Sequence, residues 1–463
     1  MPVTRRAFIK ATSLVSIGFL GLDRLAANTA FFSDTSGVDI GFGKLSHKAG
    51  DILSLPKGFT ARIISQKGDS MDDGFFVPGL YDGMGAFALD KNRTLLIRNH
   101  EIGDQLNASP FGADNKLLAK LKPAQFYDFA SGDRPCLGGT TTMVYNEALQ
   151  KTELQYLSLT GTIRNCAGGI TPWNSWITCE ETSLSKGEGH QLAQSHGYNF
   201  EVPASTKIGL ADPVPLKAMG RFVHEAVAVH PANGIVYQTE DLSDSAFYRF
   251  LPKQYGKLQQ GGKLQCLAIS EWKSADTRNW ATESTDIFPQ KKSFNVHWID
   301  LDDVEAPDND LRLRGHQKGA ALFARTEGIW FGKNELFFAC TSGGHDATGQ
   351  IFRYVPSKYE GTSQEKESPA TLELFLEPNN TEIFQNCDNL TVSPWGDVII
   401  CEDKRHARII GISPEGNTYT LAENRGFPNS EFAGPVFSPS GKTMFVNIQS
   451  PGLTLAITGP WKT

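Results

Sequence analysis

The chain has 463 residues, 44 Lys and Arg against 51 Asp and Glu, and a formal net charge of -7. That acidic surplus argues against a nucleic-acid or anionic-membrane partner and suits a protein that gathers cations. Seven cysteines without a CxxC pair or zinc-ribbon spacing argue against a disulfide framework, and 45 glycines with 24 prolines fit many short strands joined by turns.

At the N-terminus, Arg5 and Arg6 precede Phe8, and a mildly apolar run follows from 11 to 22. A twin arginine before a weakly apolar stretch has the form of a Tat export signal over residues 1–30. The run is shorter than the roughly 20 residues a membrane span needs. The expected mature protein is therefore residues 31–463, a single domain without a stable membrane anchor. It would be handed to the Tat machinery and work as a monomer in the periplasm or outside the cell.

After an entry segment, a strand is expected at 60–65 and a first hairpin at 82–101. A helical stretch is expected near 117–129, then strands at 140–145 and 152–159. Similar hairpin phrases recur at 166–181, 225–241, 327–342, 388–403 and 433–449, with outer strands at 245–251 and 350–355. The irregular stretch 253–320 carries Asp300, Asp302, Asp303, Asp308 and Asp310. These lack EF-hand spacing and read as a solvated loop, with a structural Ca²⁺ site as the alternative. Six hairpin units at this spacing predict an all-β fold, a six-bladed propeller with a few short helices in insertions. The first strand of each blade would then line a central channel.

Acidic residues recur at matching places in these phrases. The first strands begin at Asp82, Ala167, Glu225, Glu327, Asp388 and Ala433. The second strands end at Glu101, at the pairs Glu180 and Glu181, Glu240 and Asp241, and Glu402 and Asp403, at Thr341, and at Gln449. Antiparallel pairing brings both sets to one edge of the hairpins, hence to one mouth of the channel. Carboxylates crowded there repel one another unless cations neutralise them. Hard oxygen donors suit Ca²⁺, or Fe³⁺ and Mn²⁺ with nitrogen or sulfur help, and Cys179 lies among them as a thiolate candidate. His224, Glu225 and His230 miss the HExxH spacing, and nucleophile-elbow, Walker and dinucleotide motifs are absent. Arg325 stands two residues before Glu327, placed to clamp a phosphate oxygen beside a metal-bound carboxylate or to form an ordinary salt bridge.

Eight phrases in order carry a resemblance: RNHE at 98–101, WITCEE at 176–181, GRFVHE at 220–225, YQTED at 237–241, RTEG at 325–328, CDNL at 387–390, CED at 401–403 and EFAGP at 431–435. Together with the leader they resemble the PhoX-type alkaline phosphatases across nearly the whole mature chain. The resemblance implies a six-bladed propeller with two Fe³⁺, three Ca²⁺ and a bridging oxo group, hydrolysing small phosphomonoesters to scavenge phosphate. It implies Cys179 as an iron ligand, with Glu225 and Asp388 on the iron side or bridging. Glu101, Glu180, Glu240 and Glu402 would be calcium-side ligands, and Asp82, Asp241, Asp403 and Glu431 a further set. Glu327 would sit near the catalytic calcium and Arg325 would touch phosphate, making these two the catalytic pair. The sixth phrase departs from the pattern by ending in Gln449. Two other readings stay open here, a Ca²⁺-dependent propeller lactonase or esterase and a non-catalytic calcium-binding propeller.

Overall fold

The computed structural model describes residues 41–462 apart from 104, 113, 131–133, 189–191 and 282–285. The expected leader lies outside the described residues. All six expected hairpins are present: Tyr81–Ala88 with Arg93–His100, Asn165–Ile170 with Ser175–Glu180, and His224–Val229 with Val236–Glu240, then Thr326–Phe331 with Leu336–Cys340, Cys387–Val392 with Val398–Glu402, and Phe432–Phe437 with Thr443–Ile448. Their first strands touch in cyclic order, first to second and onward until the sixth meets the first. The result is a mostly-β, propeller-like arrangement around an axis.

Among the described residues the strands form five sheets rather than six separate ones. The strand Ser293–Asp300 pairs with Gly262–Ile269 on one side and Thr371–Leu376 on the other, which fuses the third and fourth hairpins into one nine-stranded sheet. The ring is closed by chain ends distant in sequence. Leu453–Thr458 pairs with Thr60–Gln66, so an N-terminal strand completes the sheet of the last hairpin. Leu53–Pro56 likewise adds to Thr418–Asn424 of the fifth.

The aromatic residues fill the space between and within neighbouring sheets. Phe338 stacks between Phe247, at 4.5 Å between ring centroids, and Phe352, at 5.2 Å. Burial of such rings supplies most of the packing energy of sheets with so few helices. The helix expected near 117–129 is instead two 3-10 turns, Lys116–Lys120 and Pro123–Gln125. Pro123 has no N–H to continue a helical ladder, and the chain breaks there. In the acidic stretch after 300, Asp302 and Asp310 pair with Arg314 at the helix Leu311–Lys318. Among the described residues no helix is long and apolar enough to cross a membrane.

Candidate metal centre

Every hairpin carries the same irregularity near one mouth of the channel. The pairing register slips between Tyr81 and Met84, Asn165 and Gly168, His224 and Val227, Thr326 and Ile329, Cys387 and Leu390, and Ala433 and Val436. Such a bulge leaves residues unpaired on the first strand and re-aims their side chains. Asp82, Cys166, Glu225, Glu327 and Asp388 occupy it in the first five hairpins. In four of the five the next residue is small, Gly83, Ala167, Ala226 and Gly328, because the first strands approach backbone to backbone. A Cβ at Gly83 would lie 2.6 Å from the Ala167 Cα, and one at Gly328 2.6 Å from the Leu390 nitrogen. Beneath the acids these small residues leave an axial space of about 20 Å³, room for about one water.

The second strands deliver a matching set. The N–H groups of Glu101, Glu181, Asp241, Thr341, Asp403 and Gln449 donate to the carbonyls of Leu80, Arg164, Val223, Arg325, Asn386 and Glu431. Corresponding residues therefore stand at one level in all six hairpins. Two asparagines clasp the bulges from behind. Asn99 Nδ2 donates to the carbonyls of Cys166 and Ala167 at 2.9 and 2.7 Å, and Asn447 Nδ2 to that of Asp82 at 2.6 Å.

The side chains converge in three linked groups whose donor atoms lie within 4.8 Å of one another: Asp82, Glu101 and Cys166; Cys166, Glu181 and Glu225; Glu225, Glu327 and Asp388. Cys166 and Glu225 are shared, so the run is unbroken, and the Cys166 thiol meets Glu225 Oε1 at 3.4 Å. Burial, then the neighbouring Asp388, pushes Asp82 up to about 8. Burial and Glu101 push Glu181 to about 9, and burial and Asp82 push Glu101 to about 7. Burial takes Asp388 to about 7 and lifts Glu225, Glu327 and Glu431 well above the carboxylate range, with adjacent acids adding to each. Glu225 Oε2 is buried with no hydrogen-bond partner among the described residues. Gln449 softens the crowding by donating to Glu101 Oε2 at 3.0 Å and Asp82 Oδ2 at 3.3 Å.

Two arginines frame the run from equivalent positions. Arg164 and Arg325 each precede a bulge, and each takes a left-handed backbone, φ 49° and 52°. Arg325 holds Asp241 through Nε and Nη2 at 2.7 Å each and Glu327 Oε1 at 3.0 Å. Arg164 holds Glu101 and Glu181 in the same manner. Both side chains remain nearly half exposed, 46% and 44%.

One thiol among carboxylates, without an imidazole in the run, is a donor set for hard cations, with sulfur for one of higher charge. Mutual repulsion and an orphaned carboxylate oxygen are what cations would relieve, so the residues fit a multi-metal centre. The family model for alkaline phosphatase PhoX matches residues 40–452. The chain belongs to the PhoX family. Its reaction is therefore phosphomonoester hydrolysis, and the lactonase and non-catalytic readings are set aside. Pseudomonas fluorescens PhoX, solved in complex with vanadate, a transition state analogue, has a similar fold: TM-score 0.63 at 17% identity, over 90% of this chain and 98% of that one. A gluconolactonase from Xanthomonas campestris, XC5397, aligns with a TM-score of 0.39 at 11% identity, over 90% and 100% of the two chains. No curated protein matches the chain in sequence.

Measured against the ligand set expected for a PhoX enzyme, the structure brings together Glu101, Glu225, Glu327 and Asp388, with Asp82. Asp241 joins through Arg325, and Asp403 and Glu431 border Asp388 electrostatically. Four expected ligands lie elsewhere. Cys179 is fully buried in an apolar cluster with Ile177, Met219 and Phe222. Glu180 faces away and accepts from His196 and from the Ile163, Gly197 and Tyr198 N–H groups. Glu240 accepts from Tyr248 Oη and Ala246 N–H, and Glu402 from Arg408 and Gln385 N–H. The physical reason is strand alternation: successive side chains point to opposite faces, so in each acidic pair only the second member reaches the axis. Cys166, Glu181 and Arg164 were missed. Aligning Cys166, rather than Ala167, with Asp82 would have found the thiol, since a one-residue slip exchanges the two faces.

Proposed function

We propose that this PhoX-family enzyme is an exported alkaline phosphatase on a six-bladed propeller, in which the nine-stranded sheet counts as two blades sharing one strand. Its centre would hold two Fe³⁺ and three Ca²⁺, with Cys166 as the thiolate donor and Glu225 shared between ions. Asp82, Glu101, Glu181, Glu327 and Asp388 complete the inner set. The observation that carries the reading is the unbroken run of acids and one thiol from Glu101 to Asp388, framed by Arg164 and Arg325.

Metal ions bound there would withdraw charge from the phosphoryl oxygens and activate the attacking water. The protein's own contribution is position. Asp241 and Glu327 hold Arg325 with its exposed edge free for a phosphoryl oxygen, and Glu101 and Glu181 do the same for Arg164. Guanidiniums so restrained are aimed before substrate arrives, which is where electrostatic stabilisation of the developing charge is strongest. Asn99 and Asn447 keep the bulges from relaxing. The acid-lined mouth is the approach for small phosphomonoesters. The twin-arginine leader supports Tat export to the periplasm or beyond, where a monomer would scavenge phosphate.

Metal analysis of the exported protein, beside p-nitrophenyl phosphate hydrolysis at alkaline pH, tests the proposal. Iron near two equivalents with calcium-dependent turnover is expected. Calcium alone with full turnover would refute the iron assignment. Retention of an R5K/R6K protein in the cytoplasm is expected, and its normal export would refute the route.

A further inference from the structure

A second cluster of metal-binding side chains lies off the axis, behind the end of the second hairpin. Asp128, Cys136 and His196 place one donor atom each within 4.8 Å of the others, and all three are buried. His196 Nε2 stands 3.3 Å from Asp128 Oδ2 and 3.9 Å from the Cys136 sulfur. A tetrahedral zinc with bonds of about 2.0–2.3 Å has donor-to-donor edges of about 3.3–3.7 Å. The two separations from the ring nitrogen match that figure to within a few tenths of an ångström, and the third lies within 4.8 Å. The other ring nitrogen, Nδ1, meets Glu180 Oε1 at 2.6 Å. A carboxylate on one imidazole nitrogen, leaving the other for a cation, is the usual outer arrangement of a metal-bound histidine.

We propose that Asp128, Cys136 and His196 bind one zinc ion in a structural site, with Glu180 orienting the histidine and water at the fourth position. Three features favour this over a metal-free contact. A carboxylate oxygen and a sulfur converge on a single ring nitrogen, which has one hydrogen or one lone pair to offer. The thiol is a weak hydrogen-bonding group, so its position is better used by a cation. Asp128 is also held on both oxygens, by the Ala130 and Gln194 N–H groups, which sets its direction. With His196 fully buried and Cys136 only 6% exposed, a substrate has no access, so the role is structural. The site ties Asp128 and Cys136 to the strand end that carries Glu181.

The test uses the full exported protein grown with zinc supplementation. About one equivalent of zinc is expected, lost in Cys136→Ser and in His196→Gln while iron and calcium stay unchanged. Zinc absent from the wild type, or retained in full by both variants, would overturn the proposal and leave an imidazolium held between Asp128 and Glu180. Should the variants fail to fold, anomalous scattering at the zinc edge from wild-type crystals decides it. A peak between the three side chains supports the site, and none there refutes it.

Discussion

Two sets of carboxylates lie one residue apart at the mouth of the channel, and the protein treats them oppositely. Glu180, Glu240 and Glu402 point back between the sheets and are met by donors from the chain, with Arg408 on Glu402 and the Tyr248 hydroxyl on Glu240, whose other oxygen has only Arg312 at 3.9 Å. Glu101, Glu181 and Asp241 point to the axis, where acids outnumber the two arginines that reach them. The outer set is a structural element that happens to be charged. The inner set is left short of positive charge, and that deficit is what the proposed metal ions would fill. Buried charge alone therefore says little about function; whether the fold supplies its counter-charge says much more.

The most severe way to probe this contrast is Glu225→Gln, which neutralises the shared inner acid. Turnover should fall by about 10³-fold or more as the centre loses metal, since charge stabilisation at a reacting centre is of that size. Metal content and kcat measured together check it, and normal loading would break the distinction between the two sets. Arg325→Ala and Arg164→Ala should each lower kcat/KM by about 10²-fold, the effect of removing one positioned donor. If Arg164 behaved like a surface residue in steady-state kinetics, the pairing of the two arginines would be wrong.

An outer acid should respond differently. Glu402→Ala leaves Arg408 without its carboxylate and should cost about 3 kcal/mol of stability, with little change in turnover per folded molecule. Chemical denaturation read beside specific activity separates the two effects. Cys179→Ser should cost about 2 kcal/mol by burying a hydroxyl in an apolar cluster, and should leave iron in place. Cys166→Ser should do the reverse, losing iron, while the metal-free variant and metal-free wild type unfold at nearly the same denaturant concentration.

The last test is a pH slope. Asp388 and Glu101 titrate near 7, Asp82 near 8 and Glu181 near 9 in the folded, metal-free chain. Unfolded carboxyls titrate near about 4, so between these values the folded state binds more protons than the unfolded one. Stability of metal-free protein should therefore decline as pH rises from about 5 to about 9. Metal binding displaces those protons, so affinity should climb over the same interval and flatten the decline. Thermal melts with and without chelator would show it.

The six hairpins and the family were legible in the sequence because a strand–turn–strand phrase is a local pattern and repeats reinforce it. So were Glu225, Glu327 and Asp388, which stand at one place in successive phrases. Cys166 was hidden by a slip of one residue, and Glu181 by an equally acidic neighbour. What the chain determined by itself was which segments form strands and that acids collect at their ends. Which member of each acidic pair reaches the axis was decided only by the tertiary structure. Strand alternation sets that choice, and which face meets the axis depends on backbones of neighbouring hairpins closing to contact at Gly83 and Gly328. The fusion of two hairpins through Ser293–Asp300 and the ring closure by Thr60–Gln66 were decided in the same way, by pairings between segments too far apart in sequence for any local pattern to register.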